Sequence, residues 1–410
     1  MHRRLVWVSI AAFTLVAAVT VGVIAVQSDP DPVRVAAVYN SSGGMKWLDL
    51  PGLEGFLLAA DQINADGGVL GQMVEVVEVD GTTDTTELTR LVSELAEAGD
   101  VVAVGGVNDP IHAISPVRGA LRRADGGLIT FSHSEMALAV GEVTEASGIP
   151  FVTAGSTLTA LPDLVGDDLF MLAASHDAHA SAIADFASDE LGAGSAWVLT
   201  DNGAQFATSL TESFQQRWRE RGGEIIADDS YPPGVLDISS QISRLRELPE
   251  EPDLLVVSSL QNDGGYLTQQ LREAGLSQPI MLADVVDPRY IVAMGGDMTD
   301  VYLSTHGSPV DPDEEVQDFV TAYQAKYGDV PESATAMLGY DTMRLIADAI
   351  GRAGSAERRL LSQTLAQTDG FAALTGRLSY PVGTHVPAKT ITILRYQEGE
   401  PIIAAKIGPN

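Results

Sequence analysis

From residue 33 to residue 304 the chain alternates between short apolar runs and amphipathic stretches, and this constrains its fold more than any other feature. The apolar runs fall at 33–39, 73–79, 101–105, 128–131, 150–153, 196–200, 225–230, 254–258, 280–283 and 301–304. Most are apolar throughout, as strands covered on both faces are. Between them apolar residues recur at helical spacing. Leu210, Phe214 and Trp218 stand four apart before the Gly222-Gly223 stop, and Leu88, Leu91, Val92 and Leu95 share one side of 86–98. Strand–helix–strand repetition implies right-handed crossovers and a doubly wound parallel sheet. So many units exceed what one compact domain carries, which predicts an α/β fold of two doubly wound lobes. Beyond residue 374 the pattern changes. Segments 375–380 and 389–396, around a turn at 381–387, alternate like antiparallel strands in a tail that returns to close one lobe.

The chain is long enough, at 410 residues and 45% hydrophobic, to bury one large or two medium cores. With 24 basic and 56 acidic residues its formal charge is -32, so nucleic acid and anionic lipid are poor partners. Cysteine is absent, which excludes disulfides, thiolate metal sites, a thiol nucleophile and a lipid-modified cysteine. Arg3 and Arg4 precede an uncharged run from Leu5 to Val26. Positive residues before such a run mark an export signal, and the run is long enough to span a bilayer. Cleavage after Ala25, with Val23 at the minus-three position, and retention as an anchor both fit. Either way, residues 1–32 are a signal or anchor plus linker, and the rest lies outside the membrane.

Two strand ends are chemically distinctive. Residues 150–157 read PFVTAGST and residues 128–136 read LITFSHSEM, each an apolar strand running into a Ser/Thr/Gly/His turn and then a helix. Side by side at the carboxyl edge of one parallel sheet, such turns gather hydroxyls and helix-start amides that suit a small carboxylate. YNSSGGMKW (39–47) follows the first strand and shares that edge. Its glycines allow close backbone approach, and Trp47 either walls an apolar pocket or joins the core. TDNGAQF (200–206) and ADVVDP (283–288) end strands of the other half. Lobes facing each other with these ends would enclose a ligand, Asp284 meeting its ammonium while the hydroxyl loops hold its carboxylate.

Catalytic patterns are missing: there is no GxSxG elbow, no Walker loop and no GxGxxG after the first strand. His176 and His179 flank Asp177 in SHDAH, but without a third ligand the pair reads as solvated residues at a helix start. Asp84, Asp109 and Asp284 stand at strand ends as helix caps. The sequence therefore predicts a binding protein without catalytic residues, metal or cofactor.

The order of motifs from residue 33 to about residue 397 resembles a known family. The carriers are VAAVYNSSGGM, then LPGLEGFLLAADQINADGGVLGQMVEVVEVDGTTD with its G…LAxxxINxxGGxxG spacing, GIPFVTAGST…LP, QQLREAGLSQPI and GYDTMRLIADAIGRAGS. Together they are similar to the type I periplasmic solute-binding proteins of the branched-chain amino-acid group, the extracytoplasmic receptors of ABC importers. The resemblance implies two Rossmann-like lobes joined by a three-crossing hinge, with crossings near 170–175, 303–308 and 376–380. The lobes would comprise 33–173 with 308–376, and 174–307 with 377–410. It implies Ser134 in the first loop, on the ligand α-carboxylate. Ser156 and Thr157 would form the second loop, where a backbone carbonyl and a hydroxyl meet the head group. Phe206 would be an aromatic of the far lobe, Asp284 the acid on the α-ammonium, and Trp47 would stand near the aromatic that covers the ligand. The implied partners are a small amino-acid or amide-like solute and the ABC permease subunits in the membrane, the receptor itself being a monomer.

Three departures reshape the expected site. Leu260–Gln261 replaces a second far-lobe aromatic, and His133 adds a polar or pH-sensitive contact to the first loop. Between Gly81 and Leu128 there is also room for two strand–helix units where the family has one. Either VVEVDGTTD or VVAVGGVND is the family's second strand, and the other belongs to an insert of about two dozen residues. If VNDP lies in the cleft, Asn108 and Asp109 replace Ser134. A membrane-anchored sensor and an exported amide hydrolase are the competing functions.

Overall fold

The structure is a computed structural model. It describes residues 30–107, 119–122, 128–131, 135–232, 237–259, 263–283, 298–397 and 399–409, with 119–122, 128–131, 135 and 205 by backbone alone. The first half runs β1 (Val33–Tyr39), α1 (Lys46–Ala65), β2 (Val74–Asp80), α2 (Thr85–Ala98), β3 (Ala103–Gly106), β4 (Gly119–Arg122), β5 (Leu128–Phe131), α3 (Glu135–Ala146), β6 (Phe151–Thr153), α4 (Leu161–Val165) and β7 (Leu169–Met171). Five of these strands form a parallel sheet in the order β2-β1-β3-β6-β7. One face packs on α1, through Phe56 and Ala60, and the other on α2 and α3, through Leu88, Val92 and Val140. Coverage on both faces is why the strands read as unbroken apolar runs.

The second half runs α5 (His176–Asp189), β8 (Ser195–Asp201), α6 (Gln205–Glu220), β9 (Glu224–Tyr231), α7 (Ser239–Arg246), β10 (Leu254–Ser258), α8 (Asp263–Glu273), β11 (Ile280–Leu282) and β12 (Val301–Thr305). Helices α9 (Glu314–Tyr327), α10 (Ala334–Ala353) and α11 (Arg358–Leu365) follow, then β13 (Leu378–Ser379), β14 (Ala388–Lys389), β15 (Ile391–Gln397) and β16 (Glu400–Ile407). The second sheet has the order β16-β15-β12-β11-β10-β8-β9. Its strands from β12 to β9 are parallel, while β15 and β16 add antiparallel at one edge. The tail thus closes this sheet as the alternation after residue 374 predicts, and β16 extends it by a strand that the sequence reading missed. Leu210, Phe214 and Trp218 point from α6 into one core, with Phe214 stacked on Trp218.

The chain passes between the sheets three times: from β7 through α5 to β8, from β12 into α9, and from α11 through the β13–β14 pair into β15. Helix α10 returns to the first sheet and lies against α1 at glycine contacts. A Cβ on Gly55 would fall 1.9 Å from the Ala336 carbonyl oxygen, and one on Gly339 1.8 Å from that of Gly52. Only glycine permits so close a crossing. Asn64 of the INxxGG motif fixes the start of β2, its side-chain amide donating to the Val74 carbonyl at 2.8 Å and accepting the Val74 N–H at 2.7 Å.

One expectation is overturned. Residues 128–131 do not join the parallel sheet; β5 pairs antiparallel with β4 in a separate two-stranded ribbon. The neighbour of β6 is β3, in register from Val104↔Phe151 to Gly106↔Thr153. Segments VVEVDGTTD and VVAVGGVND therefore both supply strands of one sheet, on either side of β1, and the extra chain is the ribbon. A four-residue apolar run cannot by itself distinguish a central strand from a hairpin arm.

Candidate functional site

The carboxyl ends of β1, β3 and β6 lie together along one edge of the first sheet. Beyond β6 the chain continues the ladder: Ala154 N–H donates to the Gly106 carbonyl at 2.8 Å and Gly155 N–H to that of Val107 at 3.2 Å. Ser156 is fully buried and Thr157 is 9% exposed. The Thr157 carbonyl accepts the His176 N–H at 2.9 Å. His176 Nδ1 lies 2.9 Å from the same oxygen, and since a carbonyl only accepts, Nδ1 carries the proton. The PFVTAGST turn is thereby fastened to the start of α5, which leads into the second sheet.

Asp177 reinforces this junction. It accepts the Thr159 hydroxyl at 2.7 Å and the Ser213 hydroxyl from α6. Burial pushes its carboxyl up, but the Ser213 and Thr159 hydroxyls outweigh this and hold it below the usual range. His176 and His179 do begin a helix, as expected, but they are not solvated. His176 is 8% exposed and His179 is wholly buried. His179 Nδ1 lies 3.2 Å from Ser304 Oγ and its Nε2 3.2 Å from His306 Nδ1. Among the described residues no group of three His, Asp or Glu is placed to hold a metal.

A second buried set spans the passages. Lys389 of β14 donates to the Leu172 carbonyl at 3.0 Å and to the Thr375 hydroxyl. That hydroxyl donates to Asp341 at 2.6 Å, and Asp341 also accepts the Leu374 and Thr375 N–H groups at 2.8 and 2.9 Å. Burial drives the Lys389 ammonium down to about 8, against the pull of Asp341. Burial likewise raises Asp341, with Lys389 and the hydrogen bonds opposing it.

Trp47 stands in the first turn of α1 and is 37% exposed, so it is neither core nor loop. The turn before it is set by β2: Asp80 accepts the Ser42 N–H at 3.1 Å, Thr83 Oγ1 accepts that of Met45 at 3.0 Å, and Thr82 and Thr83 have φ of 54° and 62°. Such left-handed residues store strain that clusters at working sites. Phe206 opens α6 and packs with Leu210 and Val198 in the core below the second sheet. Asp84 caps α2, accepting the Thr86 and Glu87 N–H groups at 2.9 and 3.0 Å. His133, Ser134 and Asp284 lie outside the described residues, as do Asn108, Asp109, Leu260 and Gln261. The sequence reading missed Asp177, His306, Asp341 and Lys389. Only Asp177 carried a signal, its place between two histidines.

Two sheets with helices on both faces, traversed three times by one chain, define an α/β architecture of two doubly wound halves. The family model of the periplasmic binding proteins matches residues 32–122 and 108–401, and the chain belongs to that family. The Leu/Ile/Val-binding protein homolog 7 of Brucella suis biovar 1 is 24% identical over 364 residues, covering 82% of this chain and 81% of that protein. The branched-chain amino acid transporter substrate binding protein LivJ of Streptococcus pneumoniae, solved with isoleucine, superposes with a TM-score of 0.73 at 24% identity. The match covers 92% of this chain and 99% of LivJ. An ABC transporter substrate-binding protein of Sphaerobacter thermophilus gives 0.78 at 21% identity, covering 92% and 98%.

Proposed function

We propose that this chain is the extracytoplasmic receptor of an ABC importer, closing two lobes over a small amino acid or amide-like solute and presenting it to membrane permease subunits. The observation that carries the reading is topological: a family match from residue 32 to residue 401 runs through both large sheets and all three passages between them. The proposed lobes are 33–173 with 308–376, and 174–307 with 377–410. The leader, residues 1–32, exports the chain or anchors it; among the described residues no helix is long and apolar enough to cross a membrane.

In this reading Ser156 and Thr157 offer their turn to the ligand head group, Trp47 covers the ligand, Phe206 backs the far side and Asp284 takes the ammonium. His133 and Ser134 complete the first loop in one version. In the other, supported by β3 standing beside β6, Asn108 and Asp109 do so. The protein binds without converting its ligand and works as a monomer.

Calorimetric titration of the full chain with amino acids and their amides, followed by recovery of the solute, tests this. Saturable one-site binding with the solute returned unchanged is expected, and Thr157→Ala and Asp284→Ala each weaken it by about 1–3 kcal/mol. Turnover of the solute, or full affinity in both variants, overturns the assignment.

A further inference from the structure

The two oxygens of Thr157 are in opposite states. Its carbonyl is spent: the His176 N–H and the His176 Nδ1–H both donate to it, each at 2.9 Å. A carbonyl oxygen has two lone pairs, so nothing is left there for a solute. Its hydroxyl is unspent. Thr157 is only 9% exposed, yet among the described residues the hydroxyl has no hydrogen-bond partner. Nearly buried hydroxyls normally find partners, so this one is kept for an incoming group. Thr157 therefore meets a solute through its hydroxyl and not through its carbonyl.

What aims that hydroxyl lies outside the turn. Two bonds to one oxygen fix the plane of the Thr157–Leu158 peptide, and with it the direction in which the Thr157 side chain leaves the backbone. Two residues on, Asp177 Oδ2 accepts the Thr159 hydroxyl at 2.7 Å, while Oδ1 accepts the Ser213 hydroxyl from α6. His176 Nε2 lies 3.3 Å from Asp177 Oδ1, so the ring is confined between the carbonyl and the carboxylate. The turn leaves β6, a strand of the first sheet. Its holders begin α5, which packs with α6 on the second sheet through Ile183, Phe186, Leu210 and Phe214.

We infer that His176 is a positioning residue for the solute: acting through the Thr157 carbonyl, it holds the Thr157 hydroxyl in line with the solute's head group. The inference rests on the reading of the 156–157 turn as the ligand's turn. Because the grip comes from helices of the second sheet, a movement of those helices moves the hydroxyl.

Calorimetric titration of the full chain with each of the twenty standard amino acids identifies the tightest binder, which is the probe for the variants. His176→Leu and His176→Asn share one shape, but asparagine sets an amide N–H where Nδ1 stands and leucine a methyl. His176→Leu is expected to bind the probe about tenfold more weakly, the order of one lost hydrogen bond, and His176→Asn within about threefold of the unaltered chain. In a Thr157→Val background His176→Leu should cost nothing more, since the hydroxyl it positions is gone. A residue that merely stabilised the fold would lower the urea midpoint and leave the affinity of the folded protein unaltered. That outcome overturns the inference alone, as does equal loss in His176→Asn and His176→Leu, or additive losses in the Thr157→Val background. Should His176→Leu fail to fold, Thr159→Val, which frees the turn from Asp177, carries the test with an expected loss of about threefold, and unchanged affinity overturns the inference. Failure of all twenty to bind the unaltered chain overturns the amino-acid reading and this inference with it.

Discussion

Replacing Lys389 by methionine tests the physical role of the buried set at the chain passages. Lys389 is 1% exposed and Asp341 fully buried, so the substitution leaves a carboxylate in the interior without its countercharge and the Leu172 carbonyl without its donor. Breaking a buried pair from one side costs about 3–5 kcal/mol. The pH profile makes the test specific. The Lys389 ammonium drops from 10.5 to about 8 on folding, so between these values the unfolded chain holds a proton that the folded one has released. Stability therefore rises with pH across that window, by at most about 3 kcal/mol, and the folded state bears the full penalty below pH 8. Buried tyrosines such as Tyr380, raised by burial, lower stability above their unfolded value, and the chain's negative charge acts in the same direction; both cancel between the two proteins. Urea denaturation followed by circular dichroism at pH 7, 8, 9 and 10 measures the difference. Lys389→Met is expected to be less stable by about 3 kcal/mol or more at pH 7, with the gap widening towards pH 10. A gap below about 1 kcal/mol, or one that closes as pH rises, refutes the reasoning.

Three further outcomes follow from the geometry. Gly55→Ala forces a methyl into the Ala336 carbonyl, so α1 and α10 must part, and the urea midpoint falls by an amount equivalent to about 1–3 kcal/mol. Asp84→Ala strips two N–H groups of their acceptor at the start of α2 and costs about 1 kcal/mol, read from the same midpoint. Trp47 is half-exposed while Trp197 and Trp218 are buried, so acrylamide quenches chiefly Trp47 in that part of the chain. Saturating ligand should protect it, and Trp47→Phe should remove the protected component.

Much of the architecture was legible because parallel strands covered on both faces leave unbroken apolar runs, and helices leave a spacing of four. Val33–Tyr39 and Leu254–Ser258 begin and end where the sequence places them. The ribbon was misplaced because Leu128–Phe131 is apolar like its neighbours, although the Ala124-Asp125-Gly126-Gly127 stretch before it carries the composition of a hairpin turn. Strand β16 was missed because Pro401 and its alternation at the chain end read as tail; it is an edge strand, where proline is tolerated. The Ser156–Thr157 turn was visible as hydroxyls after a strand. Lys389, Asp341 and His306 were not, since their burial depends on passages that bring together residues as distant as 172 and 389.

Small-angle X-ray scattering of the full chain, with and without an equimolar mixture of the twenty amino acids at saturating concentration, puts lobe closure over a solute to its most direct test. The radius of gyration should contract on addition, and dialysis should restore the open curve. Superimposable curves, from a chain shown to be folded, would contradict closure over an amino acid.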